Sequence, residues 1–286
     1  MGYPGAEEFC GHVSMLRPRI IPSLLIKNGG LVKTVNFGNP KYVGDPINAV
    51  KIFNEKEVDE IMVADIDASV HGKAPDYELI KNLAAECRMP LCYGGGVKSV
   101  EQVEAIISVG VEKVAISSAA VRTPDLIRQA VDVVGSQSIV VVMDVKQVKS
   151  SALYEIFIHN GTRGTGLNPV QFAQTAEDLG AGELVINSID CDGLMNGYDL
   201  QLAVAVRKAT NLPITVLGGA GSLAHIAALI ELFGIVGAAA GSLFVFKGRF
   251  RAVLINYPSR SEKDALVLRA PDSCRVMIVN PVIVNP

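Results

Sequence analysis

Residues 89–118 are echoed 123 or 124 positions further along the chain. Met89-Pro90, then Gly94-Gly95-Gly96, Ser99 and Ser117-Ser118, return as Leu212-Pro213, Gly218-Gly219-Ala220-Gly221, Ser222 and Gly241-Ser242. Asp65-Ile66-Asp67 likewise precedes Asp190-Cys191-Asp192 by 125 positions. A repeat of this reach requires two similar halves. An open, Rossmann-type sheet carrying a second domain would not produce it.

Each half holds four short apolar runs. They fall at 20–26, 60–66, 90–93, 113–116, 138–144, 183–189, 213–217 and 237–240. The runs are apolar throughout rather than alternating, as expected for a parallel sheet covered on both faces. Helical patterns at 45–56, 77–86, 100–108, 123–133, 169–179, 200–210 and 223–232 separate them, with Pro46, Pro124 and Pro169 where a first turn begins. Eight strand–helix units over about 235 residues predict an α/β fold, a (β/α)8 TIM barrel with a twofold half-barrel repeat. The expected layout is an N-terminal extension at 1–16, the barrel at 17–255 and a C-terminal tail at 256–286.

Composition removes several function classes. A formal charge of −3, 6% aromatic residues and no Trp give no surface for nucleic acid. No uncharged apolar run reaches the roughly 18 residues of a membrane span. Five cysteines (Cys10, Cys87, Cys92, Cys191, Cys274) and four histidines (His12, His71, His159, His225) are dispersed without metal-ligand spacing. No metal or cofactor is expected, and with no signal-peptide pattern the location reads as cytoplasmic.

The chemistry is expected at the C-terminal ends of the strands. Two glycine-rich turns there lead into helices, whose free N–H groups favour anions. Gly95, Gly96 and Ser118 are read as one phosphate cradle, and Gly219, Gly221 and Ser242 as the other. A ligand with two anionic ends follows. Asp65, Asp67, Asp144, Asp190 and Asp192 also fall at strand ends. Asp144 is the strongest acid/base candidate, because it ends an otherwise apolar strand. Asp65, Ser117, Asp192 and Gly193 are expected to contact the substrate, although Asp192-Gly193 also fits a turn or helix cap. Arg19, Glu60, Lys113 and Glu183 read as a salt-bridged plug at the opposite end.

Arg19-Ile-Ile-Pro-Ser-Leu-Leu25, Asn28-Gly-Gly-Leu-Val-Lys33, Asp65-Ile-Asp-Ala-Ser69, Gly94-Gly-Gly96, Asp190-Cys-Asp-Gly193, Gly197-Tyr-Asp199 and Gly218-Gly-Ala-Gly221 stand in order along most of the chain. Together they resemble the cyclase subunit of imidazole glycerol phosphate synthase. The resemblance implies an ammonia-dependent lyase of histidine biosynthesis, working as a heterodimer with a glutaminase on the N-terminal face of the barrel. Its substrate would be a bis-phosphorylated ribulosyl aminoimidazole. Asp144 matches one of that family's two catalytic aspartates, and Lys33 its loop-one catalytic lysine. Arg19, Glu60, Lys113 and Glu183 match the family's ring of charges that gates ammonia.

Three positions depart from the family pattern. The second catalytic aspartate belongs where this chain has Leu25, which the internal repeat also aligns with Asp144. Ser117 replaces an Asn, and Leu217 a Ser. Two other readings therefore stay open. One is a paralogue delivering ammonia to another acceptor, such as a nucleotide sugar in surface-polysaccharide assembly. The other is a non-catalytic scaffold that activates a glutaminase.

Overall fold

The computed structural model describes residues 17–148 and 153–271. The extension expected at 1–16 and the segment from 272 onward lie outside the described residues. Eight parallel strands form the barrel: β1 (Arg19–Lys27), β2 (Ile61–Asp65), β3 (Leu91–Gly94), β4 (Lys113–Ile116), β5 (Ile139–Gln147), β6 (Glu183–Ser188), β7 (Ile214–Leu217) and β8 (Gly237–Ala240). Each pairs with the next in sequence, β8 pairs with β1, and the β5–β6 pair completes the closed ring. The TIM barrel read from the sequence is the fold observed.

Period-two geometry divides every strand between two cores. Ile20, Leu24, Val63, Leu91, Val114, Val141, Leu184, Ile214 and Ala238 point outward into the main cluster beneath the helices. Ile21, Met62, Cys92, Ala115, Val140, Val142, Val185 and Ala239 point inward and fill the axis. Both faces are apolar, which is why the runs carry no alternation. Most outer helices start at a side chain that caps their free N–H groups. Asp45, Asp76, Ser99, Asn168, Asp199 and Ser222 all serve in this way.

The strand registers reproduce the half-barrel repeat. Ile21 pairs with Ala239 as Val140 pairs with Ala115, and Leu25 pairs with Ala64 as Asp144 pairs with Asn187. This confirms Leu25 as the twofold counterpart of Asp144. It also corrects one motif alignment. Glu60 corresponds to Glu183 and Ala64 to Asn187, so Asp67, not Asp65, corresponds to Asp190.

Three features lie beyond the sequence reading. After β1 the chain forms a hairpin, Gly30–Val35 against Gly38–Gly44, and after β5 it turns back as Tyr154–Ile158. Residues past the boundary expected at 255 form helix Arg260–Val267, which carries a Ser259/Glu262 capping box. Its Lys263 bonds Asp59 at 2.8 Å, and Arg269 just beyond it pairs with Glu231. This helix fills the last place in the outer ring, so the barrel extends into the expected tail. Among the described residues no helix is long and apolar enough to cross a membrane, and no cluster of three His, Cys, Asp or Glu side chains could hold a metal.

Candidate active site

At the N-terminal end of the barrel, alternation directs Arg19, Glu60, Lys113 and Glu183 inward from β1, the approach to β2, β4 and β6. They form a closed ring of alternating charge. Arg19 pairs with Glu60 and, at 2.7 Å, with Glu183. Lys113 lies 2.9 Å from both carboxylates, and the Thr215 hydroxyl donates to Glu183 at 2.6 Å. Burial alone would favour a neutral Glu183, yet Arg19 and Lys113 hold its pKa below the usual carboxylate range. Lys113 is likewise raised against its burial by Glu183 and Glu60. All four charges are mutually satisfied. A small cavity above the ring is lined by Ile21, Met62, Cys92, Val140, Val185 and Thr215.

The axis opens at the other end into a cavity of about 150 Å³. Leu25, Lys33, Asp65, Gly95, Gly96, Ser117, Ser118, Asp144, Asn187, Asp192, Gly193, Gly219 and Ser242 all line it. Of the mouth residues singled out from sequence, Gly221 and the strand-end carboxylates Asp67 and Asp190 are missing from its wall. Both glycine turns reach the cavity, but their glycines answer first to packing. A Cβ on Gly95 would collide with the Asp65 carbonyl oxygen, and one on Gly219 with that of Gly197. Gly221 is pressed against Met195 in the same way. The expected reason for glycine, close approach of a ligand, is therefore secondary to close approach of neighbouring loops. Ser118 and Ser242 each open a short helix, Ser118–Arg122 and Ser242–Val245, and neither helix has a side-chain cap.

Asp144 is half-buried on β5, with both carboxylate oxygens engaged. Asn187 Nδ2 donates to Oδ1 at 2.8 Å, and the Ser117 hydroxyl donates to Oδ2 at 3.1 Å. Burial pushes its pKa up to about 6 against the pull of those two bonds, with the Asp192 charge adding to the rise. Such a group exchanges a proton near neutrality. On the twofold-related side, Leu25 and Ala64 offer no polar atom. Asn187 escaped the sequence reading because a single amide inside a buried run carries no motif.

Lys33 is fully buried on the first hairpin strand. Its ammonium donates to the Ser23 carbonyl oxygen at 2.5 Å and lies beside Gly241, at the foot of the second glycine turn. Burial lowers its pKa to about 8, opposed by the Asp192 charge.

Two carboxylates read as substrate contacts, Asp192 and Asp65, also have protein partners. Asp192 accepts the Thr34 hydroxyl at 2.7 Å and the Phe37 N–H at 3.3 Å. It caps no helix; Asp199 does that. Gly193 (φ +70°) has no room for a Cβ against the Thr34 carbonyl. This turn clamps the first hairpin over the mouth. Asp65 Oδ1 accepts the N–H groups of Asp67 and Ala68, closing its own turn.

The family described as "Histidine biosynthesis protein" matches residues 19–251. A Leptospira interrogans protein provisionally named imidazole glycerol phosphate synthase subunit HisF is 56% identical over 252 residues, which are 88% of this chain and 99% of that one. A Vibrio vulnificus protein provisionally named subunit hisF3 is 55% identical over 249 residues, 87% of this chain and 96% of that one. The imidazole glycerol phosphate synthase subunit HisF of Streptomyces coelicolor is 40% identical over 216 residues, 76% and 86% of the two chains. By its barrel, its mouth and its likeness to these proteins along nearly their whole length, the chain belongs to the HisF family of imidazole glycerol phosphate synthase subunits.

Proposed function

We propose that the chain is the ammonia-using cyclase subunit of a two-component glutamine amidotransferase in the cytoplasm. It takes ammonia from a HisH-like glutaminase docked on its N-terminal face and closes an imidazole ring on a bis-phosphorylated substrate. The observation that carries this reading is Asp144, a half-buried carboxyl whose pKa is raised to about 6, set at the mouth between two symmetric glycine turns. One phosphate is assigned to Gly95, Gly96 and Ser118. The other goes to Gly219, Gly221 and Ser242, with the Lys33 ammonium nearby as a counter-charge. The axis between the charged ring and the mouth is apolar, so it suits neutral ammonia and disfavours ions. Arg19, Glu60, Lys113 and Glu183 then act as the gate, and at least one ion pair must open for passage.

Leu25 favours a second reading. A leucine transfers no proton, and one general acid or base is worth ~10²–10⁴-fold in rate. A paralogue that hands ammonia to another anionic acceptor has no need of a carboxyl there. Relatives at 50% and 55% identity carry the numbered names hisF2 and hisF3, which is consistent with an additional copy. A purely scaffolding role accounts poorly for the retained cavity and for Asp144.

The test is turnover of the bis-phosphorylated ribulosyl aminoimidazole by the purified chain with ammonium salt at pH 8. Formation of imidazole glycerol phosphate, lost in Asp144→Asn, supports the cyclase reading. Tight binding of the intermediate without turnover, in the chain and in Leu25→Asp alike, supports the paralogue.

A further inference from the structure

The inward-pointing positions at the strand ends, one per strand, floor the mouth cavity, and they are sorted rather than mixed. Ser117, Asp144 and Asn187 stand at or just past the ends of three successive strands, β4 to β6, and are hydrogen-bonded through Asp144. The other strands present Leu217, Gly241, Leu25, Ala64 and Gly94, none with a polar side-chain atom. Polar groups thus occupy one arc of the floor and apolar groups the arc across from it. Lys33 reaches the apolar arc beside Gly241, where its ammonium is held by the Ser23 carbonyl oxygen. Asp65, the residue after Ala64, engages its own turn. Thr34, Asn160 and Asp192 border the cavity from the loops above this floor.

The two leucines are more than the last residues of the core. Leu24 and Ile26 are each 1% exposed, whereas Leu25 between them is half-buried and lines the cavity. Leu217 is only partly buried against the inner cluster, and Ala64 is half-buried in the same way. Below them the axis is sealed by Ile21, Val140, Val185 and Ala239. The arc is therefore apolar surface that the described residues leave uncovered. A ligand hydroxyl laid against it gives up water and finds no partner, which is costly. A CH2 or CH3 group gains by covering it. Leu25 on β1 stands four strands from Asp144 on β5, on the opposite side of the ring. Hydrogen bonding and proton transfer at the floor are thus offered to one edge of a ligand only.

We infer that Leu25, Leu217 and Ala64 form a specificity wall for an acceptor whose middle carries oxygen on one edge and none on the other. In chemical class this is a deoxy sugar or deoxy polyol with an anionic group at each end. The oxygen-bearing edge lies over Ser117, Asp144 and Asn187, and the deoxygenated edge covers the leucines. The inference rests on the two-anion reading of the mouth and deepens the second reading of the function, for which it names the acceptor class. An apolar wall of this kind rejects one added hydroxyl by up to about 10²-fold.

The experiment is a deoxy scan by titration calorimetry. Ribitol 1,5-bisphosphate and its 2-deoxy, 3-deoxy and 4-deoxy analogues are titrated into the purified chain. All carry the same two phosphates, so the glycine turns contribute equally and only the middle differs. At least one deoxy analogue is expected to bind about 10-fold or more tighter than the full polyol. That advantage should disappear in Leu25→Asn or in Leu217→Asn, each of which places a hydrogen-bonding amide in the wall. Comparing ligands within each variant cancels any change in folding or in the phosphate turns. A parent chain that binds the full polyol as tightly as every deoxy analogue overturns the inference alone. So does an advantage that survives undiminished in both variants. If none of the bisphosphates binds, the two-anion reading fails and the inference falls with it.

Discussion

Asp144 shows how a single side chain can trade stability for reactivity. An ordinary aspartate titrates near 3.9, whereas burial holds this one at about 6. Between those values the folded chain binds the proton and the unfolded chain has released it. Stability from this group therefore falls as pH rises from about 4 to about 6, and stays lost above. Asp144→Asn removes the titration while keeping one acceptor, for Asn187, and its new N–H can donate to the Ser117 hydroxyl oxygen. The variant should gain up to about 2–3 kcal/mol over the parent at pH 8 and almost nothing at pH 4, measured by urea unfolding at both pH values. Its ammonia-dependent turnover should drop by ~10²-fold or more, with substrate affinity nearly unchanged. Leu25→Asp should do the converse, raising cyclase turnover at the cost of burying a second carboxyl. Asp144 was legible because a charge ending an apolar strand is conspicuous. Asn187 was not, nor were the protein partners of Asp192, because Thr34 and Phe37 are more than 150 residues away in sequence.

At the scale of elements, the first hairpin is held down at one point. Thr34, Asn36 and Phe37 all bond the 189–192 turn, while Gly193 passes directly beneath Thr34. Thr34→Val should cost about 1–2 kcal/mol and speed amide exchange in residues 30–44 more than in the barrel strands. Gly193→Ala meets both a positive φ and the Thr34 carbonyl, so its loss should be larger, about 2–3 kcal/mol. Equal exchange rates for the hairpin in the parent and both variants would show that the clamp is idle. The eight barrel strands could be read from sequence because each is apolar on both faces. The hairpins could not, because their pairing is set by loops from other units rather than by any local period. Helix Arg260–Val267 was legible in principle from Ser259 and Glu262, but its single buried leucine, Leu266, gives almost no apolar stripe.

At the scale of the whole molecule, the barrel has a closed ion ring at one end and an open cavity at the other. The ring's four charges are satisfied only together. Glu183→Gln leaves Arg19 and Lys113 short of a carboxylate, and should destabilise the fold by about 3–5 kcal/mol, read from denaturant midpoints. Arg19→Ala should matter in a second way. On the proposed gate role, glutaminase-driven synthesis should fall, whereas synthesis from added ammonium, which can enter through the open mouth, should not. Above ring and axis, everything depends on whether the mouth performs the cyclisation. The most direct measurement is a single-turnover assay of the purified chain with the bis-phosphorylated ribulosyl aminoimidazole and ammonium chloride, following imidazole glycerol phosphate. Slow product formation that disappears in Asp144→Asn and rises in Leu25→Asp is expected. Product formed equally well with and without the Asp144 carboxyl, or no product from either the parent or Leu25→Asp, would contradict it.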